Sequence, residues 1–323
     1  MSFLAKEIEM KKRILAFILI LAMCFTLFAC GTKKDDQAEN KITPALYKVT
    51  DNEGHVIWLF GSIHVGRENF YPLPSYVMDA FNSSDAAAFE FDLVAAENDY
   101  SAQIDMAMAL MYKDGSTIKD HVSEEVYQAA VEILKENNMY SSLLDMYMPI
   151  MWSSSIDMFL TEKSGLDSNL GIDRHLLNLS KENGKEILEV ESMEYQTDMM
   201  ANFSGGLQEL LLEVSVGAYK NYDESVSELY ALVEAWGSGD EGKITAILYE
   251  EEEFESEEEK ALYEEYSNAL IVERNNNMTV YAENALKSGK EVFICVGAAH
   301  IVGDGAIAEN LRELGYTVEL INK

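Results

Sequence analysis

Two short stretches hold the residue types that could do chemistry. Residues 58–66 read WLFGSIHVG and residues 294–303 read ICVGAAHIVG: an apolar run, then Gly-x-x-His, then another glycine. Of five histidines, His64 and His300 stand in this shared context although 236 positions separate them. Imidazole offers a lone pair to a divalent ion and exchanges a proton near neutral pH, so a convergent pair would begin a metal site. Such a site takes a carboxylate as third ligand and keeps a position open for water. Glu90 in AAAFEFD is the nearest candidate, because an acid inside a short apolar strand is costly to bury without a cation or hydrogen-bond donors. Asp92, two residues on, shares its face in a strand and is the reserve. One Gly-x-x-His is a weak signal, since most such histidines are capped or packed; the repetition is what carries weight.

The remaining histidines read differently. His55 falls in a hairpin, His121 precedes an exposed helix, and His175 in GIDRHLLNLS lies on a helix face. A surface or packed role accounts for His175 better than ligation does.

The elements that must position the pair are legible in outline. ALYKVTD and HVIWLFGSIH flank the turn-like NEG and predict a hairpin. PSYVMDAFNSSD predicts a helix with Pro in its first turn, and AAAFEFD a short buried strand. Residues 94–183 are helical in pattern and rich in Met and Leu, which we read as packing between helices rather than as a pliable peptide groove. GKEILEVE returns to strand character, and long helical patterns follow over about 206–236 and 253–288. The acidic run YEEEEFESEEEKALYEEY reads as a solvated helix face. The C-terminal segment from EVFICVG to YTVELI reads strand, loop, helix, strand, a β-α-β unit with Gly315 at the helix end. The fold class is therefore α/β: a central mixed β-sheet with helices around it and a large helical insertion. If the two Gly-x-x-His strands are neighbours, both imidazoles project at the carboxyl ends of strands, where open α/β sheets bind ligands.

The N-terminus is a separate object. Lys11, Lys12 and Arg13 precede the apolar run ILAFILILAMCFTLFA, which ends at Cys30 before the polar GTKKDDQAEN. This is the pattern of a secretory signal, and the run is short of the roughly 20 residues needed to span a bilayer. Leu27, Phe28, Ala29 and Cys30 resemble a lipobox, although Phe28 is an unusual occupant. We expect a signal peptide over 1–29, a palmitate-type lipid on Cys30, a tether over 30–43 and a single domain over 44–323, membrane-anchored and facing outside the cytoplasm.

The formal charge is −33, and removal of residues 1–29 makes it about −35. Such a surface repels nucleic acid and anionic lipid heads, so no nucleic-acid partner is expected and the membrane link is the lipid. Cys295 is the one cysteine beyond the signal and Cys30, which leaves no disulfide framework.

The ordered motifs resemble the TraB/GumN family, related to the Tiki metalloproteases and to PrgY-type pheromone-shutdown proteins, over roughly residues 44–323. The matching elements are Gly61-x-x-His64, Glu90, GID at 171–173, Glu191 with Gln196 in VESMEYQ, WGSGD at 236–240, ERN at 273–275, and the last motif around His300. Val190 and Ser192 stand where the family usually has Leu and Thr around the Glu. The resemblance implies an EreA/ChaN-like fold with paired strand-Gly-x-x-His halves. It also implies a metal-dependent peptidase in which His64, Glu90 and His300 bind the metal and catalyse. The ion would be Mn, Co or Zn, with Glu90 as third ligand or as base. Glu191, Arg274 and Asn275 match positions that orient ligands or substrate, or that tie a helix to the sheet as a buried pair. Two other readings stay open: a non-catalytic lipoprotein that binds or sequesters peptides, and a metal-free, esterase-like hydrolase with His as base.

Overall fold

In the computed structural model of the chain, residues 42–249, 254 and 256–322 are described. The expected signal, Cys30 and most of the tether lie outside the described residues, as does part of the acidic run.

The hairpin forms as expected. Strands β1 (Leu46–Thr50) and β2 (Val56–Ser62) pair antiparallel, with Leu46 opposite Phe60. Asp51 closes the turn by accepting from the backbone N–H groups of Glu53 and His55, both at 2.9 Å, and Gly54 supplies a φ of +88°. Helix α1 (Ser75–Ser83) leads into β3 (Ala86–Phe89), and β4 (Glu186–Glu189), β5 (Val292–Gly297) and β6 (Thr317–Ile321) complete a six-stranded sheet in the order β4-β3-β5-β2-β1-β6. The unbroken apolar runs AAAF and VFICVG suit strands covered on both faces, and both are buried along their whole length.

Strands β2, β5, β3 and β4 run parallel. Their carboxyl ends, Ser62, Gly297, Phe89 and Glu189, therefore fall on one edge of the sheet. The C-terminal β-α-β unit is less compact than its sequence suggests. From β5 the chain passes β2 and β1 and adds β6 at the outer edge, antiparallel to β1.

Two short helices, α2 (Leu93–Ala96) and α3 (Tyr100–Ala109), follow β3. Next come α4 (Glu124–Glu136), α5 (Pro149–Ser164) and α6 (Ile172–Asn183), then α7 (Met193–Ala201) beyond β4. The predicted helix over 206–236 is two, α8 (Gly205–Lys220) and α9 (Tyr222–Ser238), broken at Asn221, whose ψ of 42° leaves the helical range. After α10 (Glu241–Leu248), the pattern over 253–288 becomes α11 (Glu257–Ser267), one π-turn (Asn268–Val272) and α12 (Glu273–Lys287). Helices α13 (Ala298–Ile301) and α14 (Ile307–Glu313) lie between β5 and β6.

One core surrounds the sheet. A second, built on Trp152, Ile156, Leu134 and Leu212, joins α4, α5 and α8. Among the described residues no helix is long and apolar enough to cross a membrane.

Candidate functional site

The Gly-x-x-His motifs interlock. Strands β2 and β5 are hydrogen-bonded neighbours with Ser62 opposite Gly297, so both chains leave the sheet side by side. A Cβ on Gly61 would lie 2.9 Å from the Ala298 Cα, closer than real contacts allow. The glycine of the first motif thus makes room for α13, which carries the histidine of the second. The loop after β2 is clamped in turn by the start of α6: Ile172 N–H donates to Ile63 O at 2.9 Å, and Gly66 and Asp167 exchange backbone hydrogen bonds. A Cβ on Gly171 would stand 2.6 Å from the His64 carbonyl oxygen, so only glycine lets α6 come this close.

Glu90 lies just past the end of β3, not inside the strand, because β3 stops pairing at Phe89. Its Oε1 accepts from Gly297 N–H at 2.8 Å. Its Oε2 accepts from Arg274 Nη2 at 2.7 Å and from Gln196 Nε2 at 2.9 Å. Glu191, beyond β4, takes the same partners: Arg274 Nη2 at 2.8 Å and Nε at 3.0 Å, and Gln196 Nε2 at 3.0 Å. One guanidinium on α12 and one amide on α7 therefore bridge two carboxylates from the ends of two strands. Arg274 and Glu191 are sealed, at 2% and 4% side-chain exposure, whereas Glu90 and His64 keep 14% and 15% and can meet a ligand from outside. Burial would raise the Glu90 pKa, but the Arg274 charge, helped by His64 and by the hydrogen bond from Gly297 N–H, overcomes it and holds the carboxyl below its ordinary value.

Each imidazole is oriented through Nδ1. His300 Nδ1 lies 2.7 Å from Asn275 Oδ1. Asn275 Nδ2 donates to Gly305 O at 3.1 Å, which fixes the amide so that its oxygen faces the ring. His300 Nδ1 therefore carries the proton and Nε2 keeps its lone pair. Burial and the Arg274 charge push its pKa down to about 3, so the ring is neutral. His64 Nδ1 lies 3.2 Å from Asp173 Oδ2, within ionic reach but off the line of a well-directed hydrogen bond. Burial alone would lower the His64 pKa; the Asp173 and Glu90 charges outweigh it and raise it.

A profile of the TraB/PrgY/gumN family matches residues 45–320. The chain belongs to this family. It is also 28% identical over 144 residues to "Uncharacterized protein YbaP" of Escherichia coli (strain K12), and equally to that of Shigella flexneri, covering 44% of this chain and 50% of each relative. The chain thus spans about half the length of the curated relatives it matches. No solved structure matches.

Placed on this TraB/PrgY/gumN chain, the sequence-predicted residues separate into two groups. His64, Glu90, Glu191, Arg274, Asn275 and His300 come together at the carboxyl ends of the parallel strands. Asp92 does not; it caps α2 through Ala95 N–H and pairs with Lys181 at 3.0 Å, because the chain turns after Glu90 instead of continuing as a strand. His175 packs on the Tyr71 ring, His121 stacks on Tyr112, and His55 bonds Asp51. Asp173 carried no assigned role in the sequence, and GID at 171–173 was its signal: the glycine permits the close approach that sets the acid beside His64.

The donor chemistry suits a divalent ion in part. His300 Nδ1 is held by Asn275, the second-sphere arrangement that presents Nε2 to a metal, and His64 Nδ1 has Asp173 within ionic reach. Glu90 Oε1 has one acceptor site taken and one lone pair left. Yet among the described residues no three His, Cys, Asp or Glu side chains are arranged to hold an ion as they stand.

Proposed function

We propose that this chain is a metal-dependent peptide hydrolase, lipid-anchored through Cys30 and facing outside the cytoplasm. The observation that carries this reading is the meeting of two oriented imidazoles, from interlocked Gly-x-x-His ends of paired parallel strands, beside a carboxylate held ionised. His64 and His300 would hold the ion, Mn, Co or Zn, through Nε2, with Glu90 Oε1 closing the set. The chemistry supplied there, were an ion bound, would be Lewis-acid activation of water and of a scissile carbonyl.

The protein's own groups have separate tasks. Asn275 and Asp173 hold the imidazoles in register. Arg274 and Gln196 keep Glu90 anionic across neutral pH, which suits a ligand better than a base, since a base works best with a pKa near the operating pH. The partial exposure of Glu90 and His64 gives a peptide access from one side.

A specific contact favours a second reading. His64 beside Asp173, with its pKa raised, is also how a metal-free hydrolase would poise a general base. The two part cleanly. The chain is stripped with chelator, titrated calorimetrically with Mn, Co and Zn, and assayed on a mixed peptide library. The metal reading expects binding and cleavage, both lost in His64→Ala and in His300→Ala. Full activity in the stripped protein would overturn it in favour of the base. Peptide binding without turnover under every condition would overturn both and leave sequestration.

A further inference from the structure

Among the described residues, ten large hydrophobic side chains stand exposed, and three of them share one face of a single helix. Tyr100 (81% exposed), Ile104 (58%) and Met108 (57%) follow one another at four-residue spacing and form a single stripe along α3. The chain just beyond α3 pairs with residues 146–148: Tyr112 N–H donates to Met146 O at 3.0 Å and Met148 N–H to Leu110 O at 2.8 Å. The segment that holds exposed Met146 and Leu143 thus lies against the end of α3. Packing between helices explains only the other side of α3, where Met106 is buried.

The stripe stands at the working end of the molecule. Helix α3 follows the β3 end that carries Glu90, and it packs on α7, which carries Gln196. Its electrostatic setting is mainly acidic, with Lys119, paired with Asp145 at 2.8 Å, at the Met146 end. No Lys or Arg occurs between Arg67 and Lys113, or between Lys185 and Lys220, so α2, α3 and α7 carry no cation at all. Their exposed charges are Asp99, Asp105, Glu194 and Asp198.

We propose that this face docks a cationic apolar peptide segment: aliphatic or aromatic side chains at helical spacing lie along the stripe while lysines or arginines meet the flanking acids. Charge complementarity selects this occupant. An anionic bilayer or a nucleic acid would be repelled by the same acids, and a neutral apolar segment would leave their charges unmatched. An amphipathic helix can lay its apolar face along such a stripe while its charges meet those to either side. The inference rests on the reading of the site as one that takes peptides, and it names their chemistry.

The test uses the full chain in phosphatidylcholine nanodiscs, with empty discs as the blank. Two labelled helical peptides of about 18 residues, enough for five turns, share one leucine face and carry either lysine or glutamate elsewhere. Anisotropy is expected to show binding of the Leu/Lys peptide alone, weakening with salt, and falling at least about tenfold in Ile104→Asp/Met108→Asp. Both positions are exposed, so the variant keeps its fold, which circular dichroism checks. Equal binding of the Leu/Glu peptide, or no effect of the double substitution, overturns the proposal. So does hydrogen exchange at residues 100–108 slowed by the bilayer alone, which would mark a membrane contact, or a dimer that the same substitutions dissolve. Binding is expected to persist in His64→Ala, so docking that survives a failed cleavage assay separates this proposal from the peptidase reading.

Discussion

Glu90 at the strand ends and Asp157 in the middle of α5 are both largely withdrawn from water, but their surroundings differ in one respect. Glu90 faces a guanidinium, an amide and a backbone N–H; Asp157, fully buried, has Ser215 as its polar neighbour, and neither carboxyl oxygen makes a well-formed hydrogen bond among the described residues. Arg274, with His64 and the Gly297 N–H, holds Glu90 below the ordinary carboxyl range, whereas burial pushes Asp157 up to about 8. The sheet edge thus maintains a carboxylate, and the helical layer maintains a carboxylic acid. Burial alone decides neither state; what decides is whether the fold supplies a cation.

Removing that cation should have the largest effect. Arg274→Met leaves Glu90 and Glu191 facing each other without a positive charge, and breaking one partner out of a buried ion pair costs about 3–5 kcal/mol. Urea unfolding followed by circular dichroism should show a loss of that order at pH 7. A loss under about 1 kcal/mol would mean that water already serves both carboxylates, and the contrast with Asp157 would dissolve.

Asp157→Asn should act in the opposite direction. The folded pKa of about 8 lies above the ordinary 3.8. The stability this group contributes is therefore complete below pH 4 and is lost as pH rises through 8, at no more than about 1.4 kcal/mol per pH unit. The asparagine variant keeps the shape without the ionisation, so it should be more stable than the parent at pH 7, on the order of 2 kcal/mol, with a flatter profile between pH 4 and 8. Glu90, with its lowered pKa, has the reverse sign: its contribution is present above the ordinary carboxyl pKa and is lost as pH falls through the depressed one. Identical profiles for parent and Asp157→Asn would show that the acid stays ionised and hydrated.

The difference between these regions also marks what the sequence made legible. His64 and His300 stood out because a glycine and a histidine recur after two apolar runs, and the close approach of Gly61 to α13 explains why both halves of that pattern are needed. Glu90 stood out because an acid in an alanine-rich strand demands a partner, although the strand stops one residue before it. Asp173 was invisible as a site residue: an acid in the first turn of a helix is what the helix dipole favours anywhere, and only the contact of Gly171 with the His64 loop turns it toward an imidazole. Asp157 sits in WSSSIDMFL, where helical periodicity does not separate a face buried against α8 from one turned to water. Most of the Met- and Leu-rich region packs between helices as expected, but the exposed stripe on α3 was not legible, since a Met-rich pattern marks an apolar face but not whether another helix covers it.

The smallest expected effect concerns Gln196, which touches both carboxylates of the sheet edge and carries no charge. Its amide donates to Glu90 and Glu191 at 2.9 and 3.0 Å, so Gln196→Ala deletes two charge-assisted hydrogen bonds while Arg274 still balances the charges. Hydrogen bonds to ions contribute about 1.5–3 kcal/mol each, but the partial exposure of Glu90 lets water replace one of them, so the net loss should be about 1 kcal/mol. A double-mutant cycle with Glu191→Gln tests whether the amide works through the pair. Coupling between the two substitutions is expected, because each removes a tie that holds the other's partner in place. Strict additivity would place Gln196 outside the network and leave Arg274 as the sole reason the sheet edge, unlike the helical layer, keeps its carboxylates ionised.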